Sequence, residues 1–323
     1  MRELSWGIIG CGDVVLKKSG PSIFRAERSC IAGVMRRDVD KARPFAAANG
    51  IALCTADAGQ VIGHPDVDVV YVATPPSSHR EYVLAAAAAG KHVLVEKPMG
   101  MSADDDRAMI DACGAAGVEL FVAYYRRFQP HVLAMKELID AGRIGRPVMG
   151  QIDFAMPAPG QEWGWRLCPE ISGGGLFVDI VAHRLDLMVY LLGAPEDVHG
   201  LGDTFGCGAL TIRFADGALC TVAGDFVSDR TADRFMIVGT EGTICAEKLD
   251  SHRFTLSSGG AVETLEFEPL PAPHLGLIRH IERVLNGDGG NASSGEDGRL
   301  TDVLIDEGLG RGKACFANLS GRG

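Results

Sequence analysis

The sequence predicts an α/β protein: a doubly wound parallel sheet at the N-terminus, then an α+β domain with a mainly antiparallel open sheet. Three observations point there. Residues 4–123 alternate apolar, strand-like runs with alanine-rich helical stretches, as parallel strands with crossover helices require. The first run, Leu4 to Gly10, ends in Gly10-x-Gly12-x-x-Val15, a glycine-rich turn between a strand and a helix. From Val148 onward the runs shorten, and Ala215-Asp216-Gly217 and Thr240-Glu241-Gly242 mark hairpins. The expected domains are residues 1–123 and 124–323.

Composition narrows the function classes. The chain has 323 residues, 46% hydrophobic and 23% charged, with a net charge of −11. Without a basic block, neither nucleic acid nor an anionic membrane is an expected partner. Nine cysteines occur with no C-x-x-C pair, which suggests a reducing cytoplasm rather than a disulfide or zinc framework. No run of about 20 apolar residues suits a membrane span, and the first residues do not read as a secretory leader.

Taken in order, the elements build a dinucleotide site. In a Rossmann turn, Gly10 allows the tight bend and Gly12 lets backbone approach a pyrophosphate, with Asp13 and Val14 beside it. The second strand, Cys30 to Met35, runs into Arg36-Arg37-Asp38. NAD sites place an acid near here, on the ribose 2′-hydroxyl. Two guanidiniums suit a 2′-phosphate instead, so NADP is expected over NAD, with Asp38 one residue late as the NAD option. A helix from Asp40 to Ala48 stops at Asn49-Gly50, and the strand Val67 to Ala73 enters Thr74-Pro75-Pro76-Ser77-Ser78-His79. That turn is expected to pass beneath the cofactor, with Thr74, Pro75, Pro76 and His79 as contacts. The helix Glu81 to Ala89 leads to His92-Val93-Leu94-Val95 and then Glu96-Lys97-Pro98. Ligands bind at the carboxyl ends of such strands. Glu96 is a cofactor candidate there, and Lys97 a donor to a carbonyl or hydroxyl oxygen. The Lys97-Pro98 bond is expected to be cis. Helix Ser102 to Ala116 and strand Glu119 to Ala123 complete the sheet.

GIIGCGDVV, ATPPSSH and GKHVLVEKP together resemble the Gfo/Idh/MocA family, relatives of glucose–fructose oxidoreductase and inositol dehydrogenase. The likeness runs to about residue 245, and EKP is its most specific part. It implies that Tyr125 and Arg126, after the strand ending at Ala123, line the cofactor–substrate cavity, while Arg127 caps a carbonyl or pairs with an acid. Beyond a helix Pro130 to Ala141 and a strand Val148 to Met156, the loop Pro157 to Pro169 holds Trp163, Trp165 and Arg166. Aromatics there suit sugar faces, and Arg166 suits a polar or anionic group.

Gly173-Gly174-Gly175 precedes Asp179 and His183, which share a helix face at i, i+4. This matches the family's G-G-G-x-x-x-D-x-x-x-H residue for residue. The resemblance implies that Lys97, Asp179 and His183 share one active site between the domains, with Tyr125, Trp165 and Arg166 also facing substrate. Ile180-Val181-Ala182 is bulkier than the family's usual filling and suggests a crowded helix. No metal is expected, since Asp179 and His183 lack a third ligand with fitting spacing.

The implied reaction is hydride transfer between nicotinamide and a secondary alcohol or carbonyl of a sugar, inositol or related polyol. A histidine's ordinary pKa of about 6.5 suits His183 to acid/base work. Lys97 would steady the developing alkoxide; the two roles can be exchanged. Alternatives are a glycosidase-like enzyme that retains its NAD and a non-catalytic dinucleotide sensor. The outer face of the second sheet, apolar in places, is a candidate surface for a homodimer or homotetramer. Helix Leu275 to Leu285 precedes a Gly295-Glu296-Asp297-Gly298 loop and a less clearly marked last helix.

Overall fold

A computed structural model describes residues 2–157, 160–203 and 206–310. The tail that holds Cys315, and residues 158 and 159 of the tryptophan loop, lie outside them. The chain forms two compact units, each from two stretches: residues up to Phe128 with Leu270–Arg299, and Gln129–Pro269 with the chain from Leu300.

In the first unit, six parallel strands lie in the order β3-β2-β1-β4-β5-β6. They are β1 (Leu4–Ile9), β2 (Ser29–Met35), β3 (Leu53–Thr55), β4 (Val69–Val72), β5 (His92–Val95) and β6 (Leu120–Val122). β4 is buried throughout, as a central parallel strand covered on both faces must be. Chain order reverses at β1, so the exits of β1 and β4 flank the crevice where open α/β sheets bind ligands. The expected strands and helices are present. β3, three half-buried residues long, was not expected, because so short a segment carries no periodicity. The helix Leu275–Leu285 closes one face, with Leu275, Leu277, Ile278 and Ile281 in the same core as Trp6, Ile8 and Phe121. The last helix begins at Gly295. A Cβ on Gly295 or Gly298 would stand 2.8 Å from Leu120 or Val122, so the glycines let this turn press onto β6.

The second unit holds an eight-stranded sheet, β14-β13-β12-β11-β7-β10-β9-β8, antiparallel except where β7 and β10 run parallel. Its strands are β7 (Pro147–Ala155), β8 (Pro195–Gly202), β9 (Cys207–Phe214), β10 (Leu219–Asp225), β11 (Ala232–Gly239), β12 (Gly242–Ala246), β13 (Arg253–Ser258) and β14 (Ala261–Glu266). Both expected hairpins form, β9 to β10 and β11 to β12. β8, β13 and β14 are additions, and all lie toward the sheet's margins. β8 contains proline, aspartate and two glycines, and β14 is almost wholly exposed, so neither shows an apolar alternation.

The helix Gly175–Leu192 packs on this sheet through a row of glycines. A Cβ at Gly208 or Gly224 would fall 2.8 Å from the Phe177 ring, and one at Gly150 would fall 2.8 Å from the Met188 sulfur. Val181 closes on Gly224 and Leu192 on Gly150 from the same face. Of Ile180, Val181 and Ala182, Val181 is the one that meets this glycine row, with Cγ2 3.4 Å from a Cβ at Gly224. Among the described residues, no helix is long and apolar enough to cross a membrane.

Candidate active site

In the first unit the site grows from the exits of β1, β2, β4 and β5. Gly10, at φ +96°, closes the turn after β1. A Cβ there would lie 2.7 Å from the Ala73 carbonyl oxygen, so glycine is needed for the exits of β1 and β4 to meet. At Gly12 the nearest atom to an added Cβ is 3.8 Å away, so nothing in the protein crowds that side of the turn. An approaching ligand backbone fits such an edge. Asp13 is exposed and paired with Lys17 at 2.6 Å, and Val14 is half-buried.

The Arg36 guanidinium, half-buried at the end of β2, donates from Nη1 to the Cys11 carbonyl at 2.9 Å. The arginine expected at the 2′-position is therefore tied to the glycine turn itself. Arg37 is exposed. Asp38 is exposed and held by Lys41 at 2.8 Å, whose hydrogen bond keeps its carboxyl below the usual range.

Thr74 and Pro75 are half-buried and Pro76 buried. His79 corrects the sequence reading. It is fully buried, with Nε2 2.8 Å from the Thr74 carbonyl oxygen and Nδ1 3.1 Å from that of Met99. Burial pushes its pKa down. The side chain is enclosed and staples the turn after β4 to the loop after Lys97, so it has no surface left for a dinucleotide.

At the end of β5 the peptide Lys97-Pro98 is cis, as expected. Glu96 accepts the Tyr71 hydroxyl at 2.5 Å. Burial raises the Glu96 pKa, opposed first by Tyr71 and then by Lys97 and Lys18. Tyr125 stacks on His274, ring centroids 4.4 Å apart and planes 23° apart, while Lys18 and Arg126 stand over the same ring at 5.6 and 5.7 Å. His274 is buried, and its pKa is pushed down to about 3 by burial and then by Lys18 and Lys97. Arg127 satisfies both readings given to it, donating to the Ala292 carbonyl at 2.9 Å and pairing with Asp297 at 3.2 Å.

Lys18, Tyr71 and His274 were missed in the sequence. Tyr71 reads as a core strand residue, and His274 lies far along the chain without a motif. A signal did exist for Lys18, which lies six residues past Gly12.

In the second unit the glycine triplet shapes the site. Gly173, Gly174 and Gly175 have φ of 73°, 137° and 77°, three successive positive values that L-residues rarely adopt. The Ser172 hydroxyl accepts the Gly175 N–H at 2.9 Å. Asp179 and His183 follow one turn apart. Asp179 lies two residues past Phe177 and His183 two past Val181, each about 200° around the helix from a side chain that faces the sheet. Their face is therefore turned away from the glycine row. Asp179 is 7% exposed and accepts from Arg166 Nε at 3.2 Å. The Arg166 guanidinium lies over the Trp165 ring at 4.4 Å and the Trp163 ring at 5.8 Å. Arg166, expected as a substrate clamp, thus grips the carboxylate expected to meet substrate. Arg184, one residue past His183, pairs with Asp233 at 2.5 Å and lies 3.9 Å over Phe154, fixing the helix to β11 and β7.

A model of the oxidoreductase family, NAD-binding Rossmann fold, matches residues 4–124, and the GFO/IDH/MocA C-terminal domain matches residues 132–245. The chain is 35% identical over 280 residues to Oxidoreductase P35 of Formosa agariphila, covering 82% of this chain and 86% of that one. It is 30% identical over 306 residues to 1,5-anhydro-D-fructose reductase of Ensifer adhaerens, covering 91% of each. The solved structure of an aldose–aldose oxidoreductase from Caulobacter crescentus, complexed with glycerol, superposes with a TM-score of 0.86 at 27% identity, covering 95% of this chain and 96% of that one. The matched models cover most of the sequence, and they include the glycine turn, the EKP strand end and the Asp179–His183 helix: the chain belongs to the GFO/IDH/MocA family of NAD-binding oxidoreductases.

Proposed function

We propose that the protein is an NADP-dependent dehydrogenase or reductase acting on a secondary alcohol or carbonyl of a sugar, inositol or related polyol. The observation that carries this reading is Lys97 at the carboxyl end of β5, in the same sheet as the glycine turn of an NAD-binding fold. The substrate class is supported by relatives named for carbohydrates, 1,5-anhydro-D-fructose reductase and aldose–aldose oxidoreductase.

A bound nicotinamide dinucleotide supplies or accepts the hydride. Gly12 leaves room for its pyrophosphate in the turn that Gly10 closes, and Arg36 with Arg37 would hold a 2′-phosphate by charge-assisted hydrogen bonds. The bond to Cys11 takes one of the five Arg36 donors and fixes the guanidinium's place. Lys97 donates to the reacting oxygen and stabilises developing alkoxide. His183 moves the proton at its imidazole, with the Lys97 ammonium as the other candidate. Asp179, steadied by Arg166, orients a substrate hydroxyl, and Tyr125 and Trp165 offer ring faces to a sugar.

This reading places the enzyme in the cytoplasm as a homodimer or homotetramer joined through the second sheet. On β9 and β10 every second residue is exposed, among them Ala209, Thr211, Thr221 and Ala223, which line a shallow depression of about 380 Å³.

The test is the affinity for NADPH and NADH side by side, in wild type and in Arg36→Asp. The ratio is the readout, because losing Arg36 also loosens the turn. NADPH is expected to bind about tenfold tighter, with the preference abolished in the variant. Equal binding, or tighter NADH, would move the ribose to Asp38. Binding of neither would bring forward the enzyme that retains its NAD, or the sensor.

A further inference from the structure

Tyr71 is a fully buried tyrosine in the middle of a parallel sheet, in register with Leu94 on β5. An aromatic ring alone would fill that space. A phenol so deep requires a partner. Its hydroxyl donates to Glu96 Oε1 at 2.5 Å, and Glu96 Oε2 stands 3.3 Å from the Lys97 backbone N–H. The charges of Lys97, at the same strand end, and of Lys18, on the helical turn Val15–Ser19, both favour the ionised carboxyl. The Ser19 hydroxyl faces the phenol. His274, close to both lysines, is neutral and adds no charge.

We propose that Tyr71 is a positioning residue for Lys97: by donating to Glu96 it keeps that carboxyl ionised, and the ionised carboxyl anchors the Lys97 ammonium at the end of β5. The proposal rests on the reading that Lys97 serves the reaction. Two influences compete at Glu96. Burial favours its neutral form, and the Tyr71 hydrogen bond and the lysine charges favour the ionised one. The phenol stays a donor throughout, because burial and the neighbouring Glu96 push its own pKa well up.

Tyr71→Phe keeps the ring and removes only the donor. The Glu96 carboxyl is followed by carbon NMR in protein labelled at glutamate, assigned with Glu96→Gln, and circular dichroism checks that each variant is folded. The midpoint of Glu96 is expected to rise by about one pH unit in Tyr71→Phe. An unmoved midpoint overturns the proposal. The acid limb of kcat/KM should move up with it, and a limb that stays while Glu96 moves also overturns the proposal. If the wild type turns over no substrate, the dehydrogenase reading fails separately. Acetic anhydride labelling of Lys97 at pH 8 then gives the second readout. Glu96→Gln should change the rate at least about threefold, because an ammonium without its anchor is no longer held in one position. An unchanged rate overturns the anchoring role.

Discussion

At the end of β5 the ionisable groups are packed into one another; at the start of helix Gly175–Leu192 they hang from a short segment outside it. In the first region Tyr71 and His274 are buried, half-buried Glu96 accepts the Tyr71 hydroxyl, and Lys18 stands over the Tyr125 ring that stacks on His274. In the second, Asp179 is buried but depends on Arg166, whose side chain is 37% exposed and is steadied by two tryptophan rings. A buried cluster on a sheet holds its geometry through packing. An ion pair borrowed from a surface segment holds only as long as that segment stays in place. The first arrangement keeps its groups in one place, and the second lets a polar face change when its segment moves.

The largest effect tests whether both regions serve one reaction. Lys97→Met and His183→Asn should each lower kcat/KM by about 10²- to 10⁴-fold while cofactor affinity stays within a few-fold. Steady-state kinetics beside a fluorescence titration with NADPH checks this, and activity retained within about threefold in either variant would remove that residue from the reaction.

A smaller effect sharpens the contrast. Arg166→Met leaves the Asp179 carboxylate without its guanidinium, which should cost about 10- to 100-fold in kcat/KM. Arg166→Lys restores charge without the flat stack on Trp165, so it should recover only part of the loss. Full recovery would show that the stack contributes nothing.

The smallest effect concerns stability. His274 is neutral in the fold, with a pKa near 3, whereas the unfolded chain takes up that proton below about 6.5. The unfolded state therefore binds more protons between those values, and stability falls as pH drops through that window. The slope is at most about 1.4 kcal/mol per pH unit for each such histidine. His280, pushed down to about 4 by burial and Arg283, adds the same sign. Thermal unfolding between pH 6.5 and 4 should be shallower in pH for His274→Phe than for wild type, and equal slopes would count against a neutral, buried His274.

What was legible in the sequence was local. Gly10-x-Gly12, Glu96-Lys97-Pro98 and the Gly173 to His183 spacing each lie within a dozen residues, and each keeps its meaning before the chain folds. Tyr71 and Glu96 are 25 residues apart, Arg166 and Asp179 are 13 apart, and Tyr125 meets His274 from the other end of the chain. Such pairs exist only after strand order is known. The return of Leu270–Arg299 to the first unit left no mark in composition, because an amphipathic helix such as Leu275–Leu285 shows that it needs a core without showing which one. His79 misled for a related reason: a histidine at a strand exit reads as ligand-facing until the loop after Lys97 is seen to close over it.

The glycines at 150, 208 and 224 act as a shim. They set how deeply the helix sits in the sheet, and so the height of Asp179 and His183 on its far side. One methyl group at Gly224 would lie 2.8 Å from the Phe177 ring and would lift the helix. Displacements of about an ångström are enough to change a rate a hundredfold. The reach of the two polar groups is therefore tuned by residues on the opposite side of the helix, and a change in which substrates the enzyme accepts could arise at positions that no substrate touches.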